Sequence, residues 1–230
     1  MPLRIGFDMD GVLADLSSAF RMLEEHLFGP GASAGRTDVE AYRAQPGSPR
    51  GADGEDATAD ARQRRDAVWK FIRNTPDFWT YLRPTAPGAV ARLHRLALQY
   101  RWEVFFVTQR PATEGETVQR QTQRWLIAQG FDMPSVLMID GSRGAAAGAL
   151  RLDYHVDDNA QNCVDVLSDS GAKPILITGP QDAATARRAR GVGIGVAHSI
   201  GECLDILEQV SCAHEQPGML QRLSAAVGWK

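Results

Sequence analysis

The chain opens on an apolar run, Leu3-Arg4-Ile5-Gly6-Phe7, that stops at Asp8-Met9-Asp10-Gly11-Val12. A buried strand followed by a glycine turn is the simplest reading, and it puts two carboxylates at the strand's C-terminal end. In open α/β sheets that end faces the ligand-binding crevice. Two acids at this spacing suit a division of labour between a nucleophile and a proton carrier, with a divalent cation screening their charge from an anionic substrate. The alternative is a plain surface turn, because Asp and Gly are both common in turns.

Three later strand ends bear on that choice. The run Glu103-Val104-Phe105-Phe106-Val107 ends in Thr108-Gln109-Arg110-Pro111. Residues 135–139 lead into Asp140-Gly141-Ser142-Arg143-Gly144, and Tyr154-His155-Val156 ends in Asp157-Asp158-Asn159. In chain order the strand ends therefore offer a carboxylate pair, a hydroxyl, a cation and a second carboxylate pair. In this order and placement the chain resembles the haloacid dehalogenase-like phosphohydrolases, over most of residues 3–180. Four motifs in order are far more specific than any one of them. The segment from Asp77 to Ala89, Asp-Phe-Trp-Thr-Tyr-Leu-Arg-Pro-Thr-Ala-Pro-Gly-Ala, is also similar to the stretch before the second motif in 5'(3')-deoxyribonucleotidases.

The resemblance implies roles for particular residues. Asp8 would be the nucleophile that forms an aspartyl-phosphate, and Asp10 the acid that protonates the leaving alcohol and then activates water. Thr108 and Gln109 would bind the phosphoryl oxygens. Arg143 stands where the family more often carries Lys; a guanidinium would still offset phosphate charge and could bind it bidentately. Mg2+ would be held by Asp8, Asp10 (through its main-chain carbonyl) and the Asp157–Asp158 pair.

The residues themselves leave alternatives open. Asp8 suits a simple metal ligand as well as a nucleophile. A β-branched Thr108 is ordinary in a strand, and Ser142-Arg143 reads equally as a capped helix start with a solvated arginine. Arg110 either grips substrate or pairs with an acid. Asp157 and Asp158 are expected to point in different directions, one to the metal and one to the cation or a metal-bound water; like charges so close favour a metal. His155 is expected to be buried in its strand rather than to ligate.

Apolar runs alternate with helical patterns, which predicts a doubly wound parallel α/β sheet. Strands are expected over 3–8, 103–108, 135–139, 153–157 and 174–178, with a sixth near 192–197. Helices are expected over 87–100, 114–129, 143–150, 160–170 and 200–210. Residues 1–14 and 84–210 form the expected core, and 211–230 a tail in which Leu220, Leu223, Ala226 and Val227 have helical spacing. The rhythm breaks at 15–83, which reads as a helical cap inserted after the first strand. Asp15 would cap a helix to Phe28; residues 29–60, rich in Gly, Ala, Pro, Ser and Asp, suggest a flexible loop; a second helix over 61–74 offers Val68, Trp69, Phe71 and Ile72 as an apolar face. Trp69, Phe78 and Trp79, with Arg110, are the candidate substrate contacts of this cap, and core packing is the alternative for the aromatics.

Composition narrows the function classes. The formal net charge of -3 gives no general pull toward nucleic acid. Three cysteines, Cys163, Cys203 and Cys212, suggest neither a disulfide framework nor a zinc site. No apolar stretch reaches membrane-spanning length, and cytoplasm is the default expectation. Gly191-Val192-Gly193-Ile194-Gly195 lacks the strand-loop-helix setting of a dinucleotide loop and reads as a turn and late strand. The expected function is a Mg2+-dependent phosphomonoester hydrolase acting on a small molecule, with nucleotides the leading class. A polynucleotide-end phosphatase would call for a basic groove, and a catalytically silent binding protein of this fold is the reading from another class, against which Asp8 and Asp10 both stand.

Overall fold

Six strands form one parallel sheet in the order β3-β2-β1-β4-β5-β6. The structure, a computed structural model, describes residues 2–32 and 59–214. Most of the expected 29–60 loop, and the tail positions Leu220, Leu223, Ala226 and Val227, lie outside the described residues. The strands are β1 (Arg4–Phe7), β2 (Glu103–Thr108), β3 (Ser135–Met138), β4 (Tyr154–Asp157), β5 (Lys173–Ile177) and β6 (Gly195–Ala197). The helices are α1 (Leu16–Phe28), α2 (Ala59–Arg73), α3 (Ala89–Tyr100), α4 (Val118–Ala128), α5 (Arg143–Ala149), α6 (Ala160–Asp169), α7 (Ala183–Gly191) and α8 (Ile200–His214). A 3₁₀ turn at Phe78–Thr80 precedes α3.

The strand order explains where a ligand would sit. The chain adds β2 and β3 on one side of β1 and then crosses to place β4 on the other. The crevice of a doubly wound sheet opens at such a reversal, here between the C-terminal ends of β1 and β4. Both strands are central, and Ile5, Phe7 and Val156 are fully buried. Register brings Phe7 beside Val156, and Asp8 extends the ladder by donating its N–H to the Val156 carbonyl at 2.8 Å. The chain then turns back at Gly11, whose φ of 83° suits a residue without Cβ.

The inserted segment leaves and returns through one short staple. Ala14 bridges to Pro84, the Asp15 N–H donates to the Arg83 carbonyl and the Thr85 N–H to the Leu13 carbonyl. Asp15 caps α1, accepting from the Ser18 N–H at 3.0 Å. Helices α1 and α2 pack through Phe20 and Trp69, whose ring centroids lie 5.5 Å apart. Val68, Trp69 and Ile72 of α2 are buried as expected, whereas Phe71 is 39% exposed and meets His26 edge-on. One position on that turn faces outward, so the apolar stripe is narrower than the sequence implied.

Helix α7 was not anticipated. Its segment, Ala-Ala-Thr-Ala-Arg-Arg-Ala-Arg-Gly, has no large apolar stripe; it buries the small Ala186 and Ala189 against Leu176, Ile194 and Val196. Asp182, which accepts from the Thr185 N–H, is the capping signal that marks its start. Helix α4 begins at Val118 rather than 114, because Gly115 adopts a φ of 93° and Thr117 supplies the cap.

Helices α5 and α6 pack unusually closely, and this presses Arg143, the first residue of α5, toward the end of β4. A Cβ added at Gly144 would run into the Asp165 carbonyl and lie 2.7 Å from the Asp169 Cβ. At Gly148 the nearest atom would be the Asp169 carbonyl at 3.4 Å, an ordinary contact. Urea melts should therefore separate the two positions: Gly144→Ala loses about 1–3 kcal/mol through overpacking, while Gly148→Ala is neutral or gains up to about 1 kcal/mol from helix propensity. Equal effects at both would contradict this packing.

Candidate active site

Four acids and two arginines converge at the C-terminal ends of β1, β2 and β4. Asp8 and Asp10 follow β1, Asp157 ends β4, and Asp158 comes next. Asp8, Asp10 and Asp157 are at most 8% exposed, Asp158 is half-buried. The carboxylates of Asp8, Asp157 and Asp158 bring one oxygen each within 4.8 Å of one another. Asp158 joins this group from a bend just beyond the last strand residue.

Arg143 enters this group from the N-terminus of α5, where Ser142 caps the helix by accepting from the Gly144 N–H at 3.0 Å. Its Nη2 donates to Asp8 Oδ1 at 2.7 Å, and its Nε stands 3.6 Å from Asp157 Oδ2. It is not a solvated arginine: its side chain is 7% exposed. Nε and Nη1 are buried and have no hydrogen-bond partner. Two unsatisfied donors on a buried cation are costly unless an acceptor fills the space beside them.

Asp157 is held on every side. His155 Nε2 donates to Oδ2 at 3.2 Å, the Asn159 N–H to Oδ1 at 2.8 Å, and the Asn162 side-chain amide to both oxygens at 3.1 and 3.0 Å. His155 is buried in β4, as expected, with its ring turned to Asp157. Asn162 was not anticipated as part of the site, and a polar residue five positions beyond an acid, on the first turn of the next helix, is a weak signal. Burial alone would make Asp157 harder to ionise, yet these donors and the Arg143 charge hold its pKa below the usual carboxylate value. Asp8 goes the other way. Burial, reinforced by Asp157, Asp158 and Asp10, pushes its pKa well above normal, against the opposing pull of Arg143.

Arg110 belongs to a second pair. Its Nη2 and Nε donate to the two oxygens of Asp10, at 2.6 and 2.9 Å. Of the two expectations for Arg110, pairing with an acid is what the structure shows. Thr108, 1% exposed, ends β2 beside this group, and Gln109 follows it half-buried. The candidate cap aromatics are interior: Trp69 and Trp79 are fully buried and Phe78 is 6% exposed. None presents an open face for stacking, so packing describes them; truncating either tryptophan would cost about 3–5 kcal/mol of stability.

A separate pocket of about 360 Å³, lined by Pro180, Ala183, Ala186, Arg187, Arg190 and His198, lies over the ends of β5 and β6. None of the four acids lines it. Among the described residues no helix is long and apolar enough to cross a membrane.

The penalty on ionised Asp8 has a measurable consequence. Because its folded-state pKa is raised, the folded protein loses stability as pH climbs from the ordinary carboxylate range through that raised value. Asp8→Asn should therefore melt a few degrees above the parent at pH 7 in chelator, and the difference should vanish near pH 4. A parent that melts higher at both pH values would contradict this.

No protein-family profile and no curated protein matches this sequence. A HAD family hydrolase from Deinococcus radiodurans, solved with bound phosphate and sodium, superposes with a TM-score of 0.55 at 16% identity, covering 95% of this chain and 98% of the other. A hydrolase from Pseudomonas syringae gives 0.55 at 15% identity, with coverages of 91% and 99%. A haloacid dehalogenase-like family protein from Streptococcus pneumoniae gives 0.52 at 16% identity, with coverages of 90% and 98%. The six-stranded parallel sheet is thus the fold of the haloacid dehalogenase-like hydrolases.

Proposed function

We propose that this chain is a phosphomonoester hydrolase working through an aspartyl-phosphate at Asp8, with Mg2+ as its cation. The observation that carries the proposal is Arg143, a buried guanidinium beside Asp8 with two nitrogens that make no hydrogen bond. An anion accepting from Nη1 would give one of these donors a partner next to the candidate nucleophile. The phosphate bound to the Deinococcus hydrolase of the same fold supports the same ligand class.

The donor set also fits a hard divalent cation, since Asp8, Asp157 and Asp158 offer only carboxylate oxygens within 4.8 Å of one another. Bound there, Mg2+ would neutralise the acids and withdraw charge from the phosphoryl oxygens. The rest of the chemistry belongs to side chains. An Asp8 oxygen attacks phosphorus while the P–O bond to the alcohol breaks, and its electron pair leaves on the alcohol oxygen. That oxygen takes the proton of the Asp10 carboxyl. Water then attacks the phosphorus, giving a proton back to Asp10 as the bond from phosphorus to Asp8 breaks, which frees inorganic phosphate. Arg143 and the Thr108 hydroxyl stabilise the phosphoryl oxygens throughout, a positioning and electrostatic contribution typical of phosphoryl transfer.

Two finer readings accompany this. Residues 15–83 act as the cap that selects the substrate, supported by the staple at Ala14–Pro84 through which the segment leaves and returns. Nucleotides are the first substrate class to test, on the strength of the segment beginning at Asp77; the buried tryptophans supply no stacking surface for a base. A polynucleotide end is disfavoured by the net charge of -3.

A panel of nucleotide, sugar and lipid-headgroup phosphates, assayed with Mg2+ and in chelator, tests the proposal. Turnover of at least one phosphomonoester should depend on Mg2+, and Asp8→Asn should lower it by at least about a thousandfold, as loss of a covalent nucleophile does. Undiminished turnover by Asp8→Asn, or by metal-free parent, would overturn it.

A further inference from the structure

We infer that Arg110 is the positioning residue for Asp10, held in a three-sided clamp of Asp10, Thr122 and Trp79. The inference deepens the phosphatase reading and rests on it. Each nitrogen of the guanidinium is committed within the protein. Nε and Nη2 take the two oxygens of Asp10 at 2.9 and 2.6 Å, and Nη1 donates to Thr122 Oγ1 at 3.0 Å. The plane is backed by Trp79, whose ring centroid lies 4.7 Å from the Arg110 Cζ. Trp79 is itself pinned, its Nε1 donating to the Pro111 carbonyl and its N–H to Gln121 Oε1, both at 3.1 Å.

Exposure separates the two members of the pair. The Arg110 side chain is 0% exposed, whereas that of Asp10 is 11% exposed. Asp10 therefore meets the crevice and Arg110 does not, so Arg110 acts through the carboxylate it holds rather than on the substrate. A bidentate guanidinium fixes both the position and the plane of a carboxylate, which a single hydrogen bond does not. Proton transfer falls off steeply when such a group is misplaced; an error of about 1 Å can cost about a hundredfold.

The clamp draws on three parts of the chain: Asp10 from the turn after β1, Thr122 from α4 and Trp79 from the 3₁₀ turn that ends the inserted segment. The loop carrying Arg110 is tied to that segment as well, through the Glu114 N–H to the Arg73 carbonyl at 2.9 Å and the Asp77 N–H to the Glu114 carbonyl at 2.8 Å. The orientation of Asp10 is thereby set by the insertion as well as by the sheet.

The test compares Arg110→Met, Arg110→Lys and Thr122→Val with the parent, in Mg2+, on phenyl phosphate and p-nitrophenyl phosphate. The first ester leaves as a more basic oxygen and depends more on protonation by Asp10. Arg110→Met should lower kcat/KM about a hundredfold on phenyl phosphate and less than about tenfold on the nitrophenyl ester. Arg110→Lys and Thr122→Val, the milder changes, should show the same selectivity with smaller losses, and they carry the test if Arg110→Met melts below the assay temperature. In an Asp10→Asn background, the same Arg110 change should cost less than about threefold, because residues that act as one unit are not additive. Equal losses on both esters, or a full loss in the Asp10→Asn background, would overturn the inference while leaving a phosphatase. A parent without phosphomonoesterase activity, or an Asp8→Asn variant as active as the parent, would overturn the phosphatase reading itself, and this inference with it.

Discussion

Gathering acids at one end of a sheet is the constraint around which this molecule is arranged. Asp8 and Asp157 are buried side by side with Asp158 half-buried next to them, and like charges this close are unfavourable unless cations accompany them. The protein supplies two guanidiniums. Arg143 lies between Asp8 and Asp157 with nitrogens to spare, whereas Arg110 is wholly committed to its neighbours around Asp10. One arginine thus keeps two donors without a hydrogen bond, and the other has all of its nitrogens engaged. The chemistry proposed for the site follows from that asymmetry.

The scaffold serves the same arrangement. The reversal of strand order beside β1 brings the ends of β1 and β4 together, and backbone hydrogen bonding continues to Asp8 so that the first acid leaves a fixed ladder. Close packing of α5 on α6 at Gly144 delivers Arg143, and His155 and Asn162 orient Asp157 from behind. A buried carboxylate surrounded by donors stays ionised, while one surrounded by carboxylates, like Asp8, does not do so readily. Raised energy of this kind at a candidate nucleophile is a common mark of a functional site.

Strand ends were legible in the sequence because an apolar run followed by acids or glycine is a local pattern. So were the cap of α1 at Asp15 and the helical character of α2. Helix α7 was not, because alanines carry its buried face and periodicity methods look for larger residues. The partner of Arg110 was equally out of reach: Asp10 lies a hundred residues away, and no local pattern says which of several acids a lone arginine will meet. Trp69 and Trp79 illustrate a related limit, since a sequence shows that an aromatic residue is present but not whether its ring faces a crevice or the core.

The proposed chemistry requires Asp8 to become covalently phosphorylated. Enzyme mixed with a slowly dephosphorylated substrate in Mg2+ and quenched in acid should carry a base-labile phosphate, and borohydride reduction followed by peptide mapping should convert residue 8 alone to homoserine. Rapid turnover with no phosphate trapped on the protein, or a label on any residue other than Asp8, would contradict the account.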